Sequence, residues 1–163
     1  MTRGTSIDYY SQNILRNILS EIKSMEINID IMERLSAEYE HVRNIHFYNF
    51  VDQWKMLANH EIFISHGGLS GVREAILCET PMIVYPSNYH DYQGGLSIER
   101  NNIGIMIKDR KLSHGNTCEV KNAIYKILST DRYTKKIKEV KEEFTDLYKK
   151  DKIISYLNEI RIN

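Results

Sequence analysis

Phe63-Ile64-Ser65-His66-Gly67-Gly68-Leu69-Ser70-Gly71-Val72-Arg73-Glu74-Ala75 is the stretch on which the fold of this chain turns. An apolar run, a glycine pair and a segment of helical spacing follow one another directly, which predicts a strand over 62–65, a tight loop and a helix over 69–78. Glycines at such a turn let backbone amides approach a ligand closely, and the first turn of the helix presents N–H groups with no intrahelical partner and a partial positive charge. That arrangement is a cradle for a pyrophosphate. His66, ending the strand, can donate to a phosphate oxygen, while Ser70 and the Gly71 amide line the first helical turn. Glu74 follows Ser70 by four residues and so lies on the same face one turn deeper. A carboxylate there can accept both hydroxyls of a ribose. Each residue alone also has a plainer explanation, since glycine pairs are common in turns and an acidic residue near a helix start is favoured by the dipole alone.

Outward from this unit the chain alternates short strands and helices. Ile14, Leu15, Ile18, Leu19 and Ile22 recur at helical spacing behind the capping residues Thr5 to Asp8, giving a helix that runs to about Ser24. Residues 27–32 and 45–50 read as strands, 33–40 as a polar helix and 53–59 as a short helix. Pro81-Met82-Ile83-Val84-Tyr85-Pro86 is a continuous apolar strand of the kind covered on both faces in a parallel sheet. A helix over 96–101 and a last strand over 103–107 complete an α/β pattern with a ligand crevice at the carboxyl ends of the strands. The fold class is thus α/β: one Rossmann-like domain, a parallel sheet with helices on both faces, its core over 1–116 and C-terminal helices over 117–163. In the latter, Ile137, Val140, Phe144 and Leu147 form one apolar stripe among lysines and glutamates. That helix either packs by this stripe alone or, with Ile153, Ile154, Leu157 and Ile160, docks on a second domain or chain.

Composition narrows the partners. Among 163 residues, 22 basic and 22 acidic side chains balance to zero formal charge, which removes a whole-chain electrostatic case for nucleic acid or an anionic membrane. Cys78 and Cys118 have neither metal-ligand spacing nor the numbers for a disulfide framework. No apolar run reaches the ~20 residues of a membrane span, and Met1-Thr2-Arg3-Gly4 does not open a signal peptide. These features predict a cytoplasmic protein with a local binding site.

Several motifs stand in a recognisable order: Phe50-Val51-Asp52-Gln53, His66-Gly67-Gly68, Glu74-Ala75, Glu79-Thr80-Pro81, Met82 to Pro86, then Asn88-Tyr89-His90-Asp91-Tyr92-Gln93 and Gly104. Over residues 42–108 this order closely resembles the donor-binding half of the UDP-glycosyltransferases, enzymes of two Rossmann-like domains in the GT-B fold. Gly4-Thr5 resembles, more loosely, the loop after that family's first strand. The resemblance implies a UDP-sugar as substrate and no metal or other cofactor. By the same resemblance Phe50 stacks on the uracil and Gln53 contacts the nucleoside. His66 binds a phosphate, Ser70 and Gly71 hold the diphosphate, and Glu74 takes the ribose hydroxyls. Asp91 and Gln93 approximate the acid-amide pair that recognises the donor sugar.

This sequence departs from the family pattern in three places. The family's acid-amide pair is contiguous, and an ungapped alignment puts His90-Asp91 there. Gly71 replaces a common serine, and Asp52 replaces a proline.

The expected reaction is displacement at the anomeric carbon of a nucleotide sugar by an acceptor hydroxyl, with donors at the loop stabilising the leaving diphosphate. The family's general base, a histidine, comes from an acceptor-binding half that 163 residues do not accommodate. His46, His60 and His114 read as surface or packing residues. The expected partner is therefore an acceptor-binding domain or subunit. Met1-Thr2-Arg3 leaves only a stub of the strand expected before Gly4-Thr5, one that a doubly wound sheet places centrally. A remnant that at most binds UDP-sugar, and half of a UDP-sugar epimerase, remain as alternatives.

Overall fold

A computed structural model describes residues 9–32, 39, 41–108 and 119–147. Gly4, Thr5, the polar helix expected over 33–40 (Tyr39 apart), His114, Cys118 and the stripe from Ile153 to Ile160 lie outside them. The described elements are α1 (Tyr9–Ile22), β1 (Ile29–Ile31), β2 (Ile45–Phe47), α2 (Gln53–Ala58), β3 (Phe63–Ser65), α3 (Leu69–Cys78), β4 (Met82–Val84), α4 (Tyr89–Arg100), β5 (Gly104–Met106), α5 (Glu119–Leu128) and α6 (Arg132–Leu147). Every strand pairing among the described residues is parallel. Among the described residues they fall into two pieces, β1-β2 with Ile29 opposite Ile45, and β3-β4-β5 with Ile83 opposite both Ile64 and Ile105.

The alternation of side chains along a strand explains how helices cover both faces. In β4, Ile83 faces a core that holds Ile29, Ile31 and Ile45 of the other sheet piece together with α1 and α5. Its neighbours Met82 and Val84 face the opposite core, built with Ala75 of α3, Ile98 of α4 and Ile137 of α6. All three β4 residues are fully buried, as a continuous apolar run requires. The apolar side of α1 enters the first core through Leu15, Ile18, Leu19 and Ile22, each at most 1% exposed. Burial of this kind contributes roughly 1.5–3 kcal/mol per large aliphatic side chain. Oε2 of Glu21 accepts from the Val120 backbone N–H at 3.3 Å, tying α1 to the first turn of α5.

α4 starts seven residues before the expected position, at Tyr89 rather than 96. Asn88 is its N-cap and accepts from the Asp91 N–H at 3.0 Å. The Gly94-Gly95 pair within this helix serves close packing. A β-carbon on Gly94 would lie 2.8 Å from the Gly67 carbonyl oxygen, and one on Gly95 would lie 2.5 Å from Sδ of Met106. At the far end of α3, Glu79 takes a left-handed backbone conformation, with φ of 62°. Its carboxylate pairs with Lys141 at 2.7 Å and Lys138 at 3.9 Å on α6.

Candidate functional site

The carboxyl ends of β2, β3 and β4 open at one end of the molecule, and the loops that leave them carry most of the candidate residues. Gly67 has φ of +91°, and a β-carbon there would stand 2.6 Å from Cγ1 of Val84, so only glycine fits this turn without displacement. Its N–H donates to Oγ of the buried Ser65 at 3.2 Å. The amides left to face a ligand are therefore those of the α3 start, Leu69, Ser70 and Gly71. Gly68 is the N-cap of α3 and brings no side-chain cap to compete for them. Ser65 contributes this loop-setting bond although no family motif marks it; only its place at the end of the strand hinted at a role.

His66 bends back over its own loop. Its Nε2 occupies the space beside Gly68, 2.5 Å from where a β-carbon would be, and the half-buried ring makes no hydrogen bond to any described residue. On α3 the carboxylate of Glu74 is only partly exposed. Its Oε2 is buried and has no hydrogen-bond partner among the described residues. A buried acceptor without a donor costs about 1–3 kcal/mol, so such an atom points to a donor supplied from outside.

Two of the departures from the family pattern acquire structural reasons. Gly71 packs against Phe63 and Gln53: a β-carbon would meet Cε1 of Phe63 at 3.3 Å and Nε2 of Gln53 at 3.9 Å. A serine there would require the aromatic ring to give way, so the missing hydroxyl follows from the packing. Asp52 is the N-cap of α2, its carboxylate accepting from the Lys55 N–H at 3.3 Å. It begins the helix that carries Gln53, and its charge is partly offset by Nζ of Lys55 at 3.7 Å. Phe50, on the bend after β2, is 90% exposed and presents a free ring.

The acid-amide pair divides. Asp91 is 6% exposed, and its Oδ2 accepts from the Ser87 hydroxyl at 2.6 Å, the Asn88 side-chain amide at 2.8 Å and the Ser87 N–H at 3.3 Å. Asp91 thus locks the loop before α4, leaving Oδ1 for other donors. Together with His90, Gly67 and Gly68 it lines a groove of about 410 Å³ between α3 and α4, floored by Val72 and Ile98. Gln93 is exposed and does not line that groove. The geometry therefore groups His90 with Asp91 beside the glycine loop. Of the other histidines, His46 is exposed, and His60 is held at both nitrogens, by the Met56 carbonyl at 2.6 Å and Asp30 at 2.8 Å.

Among the described residues, no group of three or more His, Cys, Asp or Glu side chains is arranged to hold a metal ion. No described helix is long and apolar enough to cross a membrane.

Comparison with known proteins identifies the family of the chain and relatives of its fold. The profile of the glycosyltransferase family 28 C-terminal domain matches residues 13–150. The chain is 24% identical over 111 residues to the uncharacterized UDP-glucosyltransferase YdhE of Bacillus subtilis, covering 68% of this chain and 27% of that protein. Against YojK of the same organism, also an uncharacterized UDP-glucosyltransferase, identity is 26% over 131 residues, covering 80% and 29%. Among solved structures, the spinosyn forosaminyltransferase SpnP superposes with a TM-score of 0.78 at 14% identity, over 99% of this chain and 43% of that one. Os79 from O. sativa in complex with UDP superposes with a TM-score of 0.75 at 17% identity, over 86% and 34%. The chain spans less than a third of the length of the two Bacillus relatives. It belongs to the glycosyltransferase family 28 C-terminal domain family, with the fold of a GT-B donor half.

Proposed function

We propose that this chain binds the nucleotide-sugar donor of a glycosyl transfer reaction, a UDP-hexose, and works with an acceptor-binding domain or subunit. The observation that carries the reading is the buried Oε2 of Glu74, which has no hydrogen-bond partner among the described residues and lies one turn below the open amides of the α3 start. A ribose hydroxyl is the donor that this oxygen lacks when a diphosphate sits on the helix N-terminus. The relation to Os79, a protein solved with UDP, supports uridine as the base.

In this reading, bond cleavage at the anomeric carbon leaves UDP with growing negative charge. The Leu69, Ser70 and Gly71 amides and the His66 ring are fixed before the reaction, so they stabilise that charge without reorganising. Phe50 stacks on the base, Gln53 contacts the nucleoside, and Oδ1 of Asp91 meets a sugar hydroxyl, with Gln93 reaching the sugar only from its exposed position. Gly4 and Thr5 complete the phosphate side. The proton of the acceptor hydroxyl goes to a base outside this chain, and the cytoplasm is the expected setting.

Calorimetric titration with UDP tests the reading, comparing the chain with His66→Ala and Glu74→Ala. UDP binds the native chain and both variants weaken it at least about tenfold, the scale of one lost charge-assisted hydrogen bond. No affinity at millimolar UDP in a correctly folded chain refutes the donor site. The chain alone transfers no sugar; transfer by the purified monomer refutes the need for an acceptor half.

A further inference from the structure

We propose that His60 is a positioning residue for Gln53: by bridging the last turn of α2 to β1, it sets where that amide stands against the start of α3. The bridge stands on geometry alone, and its consequence for nucleotide binding rests on the donor-site reading.

α2 has six residues, far below the length at which a helix holds on its own, and only Leu57 among them is buried. Its place is therefore set by what grips its backbone. The Thr80 hydroxyl donates to the Leu57 carbonyl at 2.8 Å, and Sγ of Cys78 donates weakly to the Trp54 carbonyl at 3.7 Å. Both grips come from the end of α3 and the turn after it, so they tie α2 to one side.

His60 supplies a tie in the other direction. Its Nδ1 lies 2.6 Å from the Met56 carbonyl oxygen, and its Nε2 lies 2.8 Å from Oδ2 of Asp30 in the middle of β1. A carbonyl oxygen and a carboxylate both accept, so the ring donates at both nitrogens. The His60 and Asp30 side chains are 28% and 18% exposed, which shields the bond from water and lifts it above a surface ion pair.

What this brace holds is the other end of the helix. Gln53 is the first residue of α2, and its Nε2 lies 3.9 Å from where a β-carbon on Gly71 would be, beside the amides of the α3 start. Gln53 stands about 5 Å along the helix axis from Met56, so a tilt at the braced end moves it directly. β1 also pairs with β2, whose chain leaves for the bend that carries Phe50. Fastening α2 to β1 thus keeps one spacing between the two residues assigned to the nucleoside. His60 acts through Gln53 and is not itself a catalytic residue.

A double-mutant cycle in UDP binding tests this, because Gln53 and His60 stand at opposite ends of α2 and separated sites ordinarily add. His60→Leu should weaken UDP by about three- to tenfold alone, and by less than about twofold in the Gln53→Ala background, the size and the fate of one hydrogen bond's worth of positioning. His60→Gln, whose amide keeps a donor for one of the two acceptors, should lose less than His60→Leu, and it carries the same comparison if the leucine variant does not fold. Equal losses in both backgrounds overturn the proposal.

A nucleotide-free measurement keeps the brace separate from the donor site. In NMR of the native chain a nuclear Overhauser contact is expected between the Gln53 side-chain amide and the Gly71 α-protons, with one from the Phe63 ring to Gly71 as the internal control. The His60 variants should lose most of the first and keep the second. A Gln53 contact absent from the native chain, or undiminished in both variants, overturns the proposal whether or not UDP binds. If the contact is lost in the variants yet the native chain has no affinity for UDP, the brace is upheld and the donor-site reading falls.

Discussion

The Nε2 of His66 and the α-carbon of Gly68 share one space: a β-carbon added to the glycine would stand 2.5 Å from that nitrogen. The ring position is therefore fixed by an absence two residues later. Gly68→Ala forces the imidazole out of this place while leaving its chemistry intact. It should weaken UDP binding about as much as His66→Ala does, and the double variant should be no weaker than either single one, because residues in contact are not additive. A calorimetric double-mutant cycle reads this directly, and additive losses would contradict it.

Glu74→Gln should move stability and affinity in opposite directions. The buried Oε2 has no partner among the described residues, so removing the charge should leave unfolding stability unchanged or raise it by about 1 kcal/mol. The same change weakens acceptance from ribose hydroxyls. Native protein should therefore prefer UDP over its 2′-deoxy counterpart, and the variant should lose most of that preference. Chemical denaturation and paired titrations check the two halves separately.

Asp91 holds three donors from Ser87 and Asn88 on one oxygen. Asp91→Ala should lower unfolding stability by about 2–3 kcal/mol, since buried groups that bonded a carboxylate lose their acceptor. Gln93→Ala, at an exposed position, should change stability by less than about 0.5 kcal/mol. Denaturation midpoints of the two variants make the comparison.

Lys141 holds the carboxyl of Glu79 below its ordinary value of 4.5, chiefly through their hydrogen bond. A depressed folded-state value means that the contribution is present above the ordinary carboxylate range and is lost as pH falls through the folded value. Lys141→Met should therefore reduce stability at neutral pH by less than about 1 kcal/mol, because the pair is a third exposed. The difference from native protein should shrink toward zero under acid, as thermal melts across pH would record.

The sequence was most legible where one signal spoke without competition. Leu69–Cys78 has the expected limits because a glycine pair opens it and its apolar spacing is unbroken. A helix over 96–101 was expected, whereas α4 begins at Tyr89 and runs through Gly94 and Gly95, which sit where neighbouring atoms leave no room for a side chain. That constraint belongs to Gly67 and Met106, far away in sequence. Asp52, where the family pattern has a proline, caps the start of α2, a role the motif order alone did not show. The Ser65 bond to Gly67 and the division of Asp91 from Gln93 were equally hidden, since both depend on which way a backbone turns.

The close approach of Gly94 to the Gly67 carbonyl has a mechanical meaning. Two backbones in contact, with no side chain between them to flex, transmit displacement like meshed gears. A push on the first turns of α4, where His90 and Asp91 stand, moves the loop that sets the α3 amides. The two ends of a bound donor would thus be sensed by one rigid body, so that a poor fit at one end degrades the grip on the other.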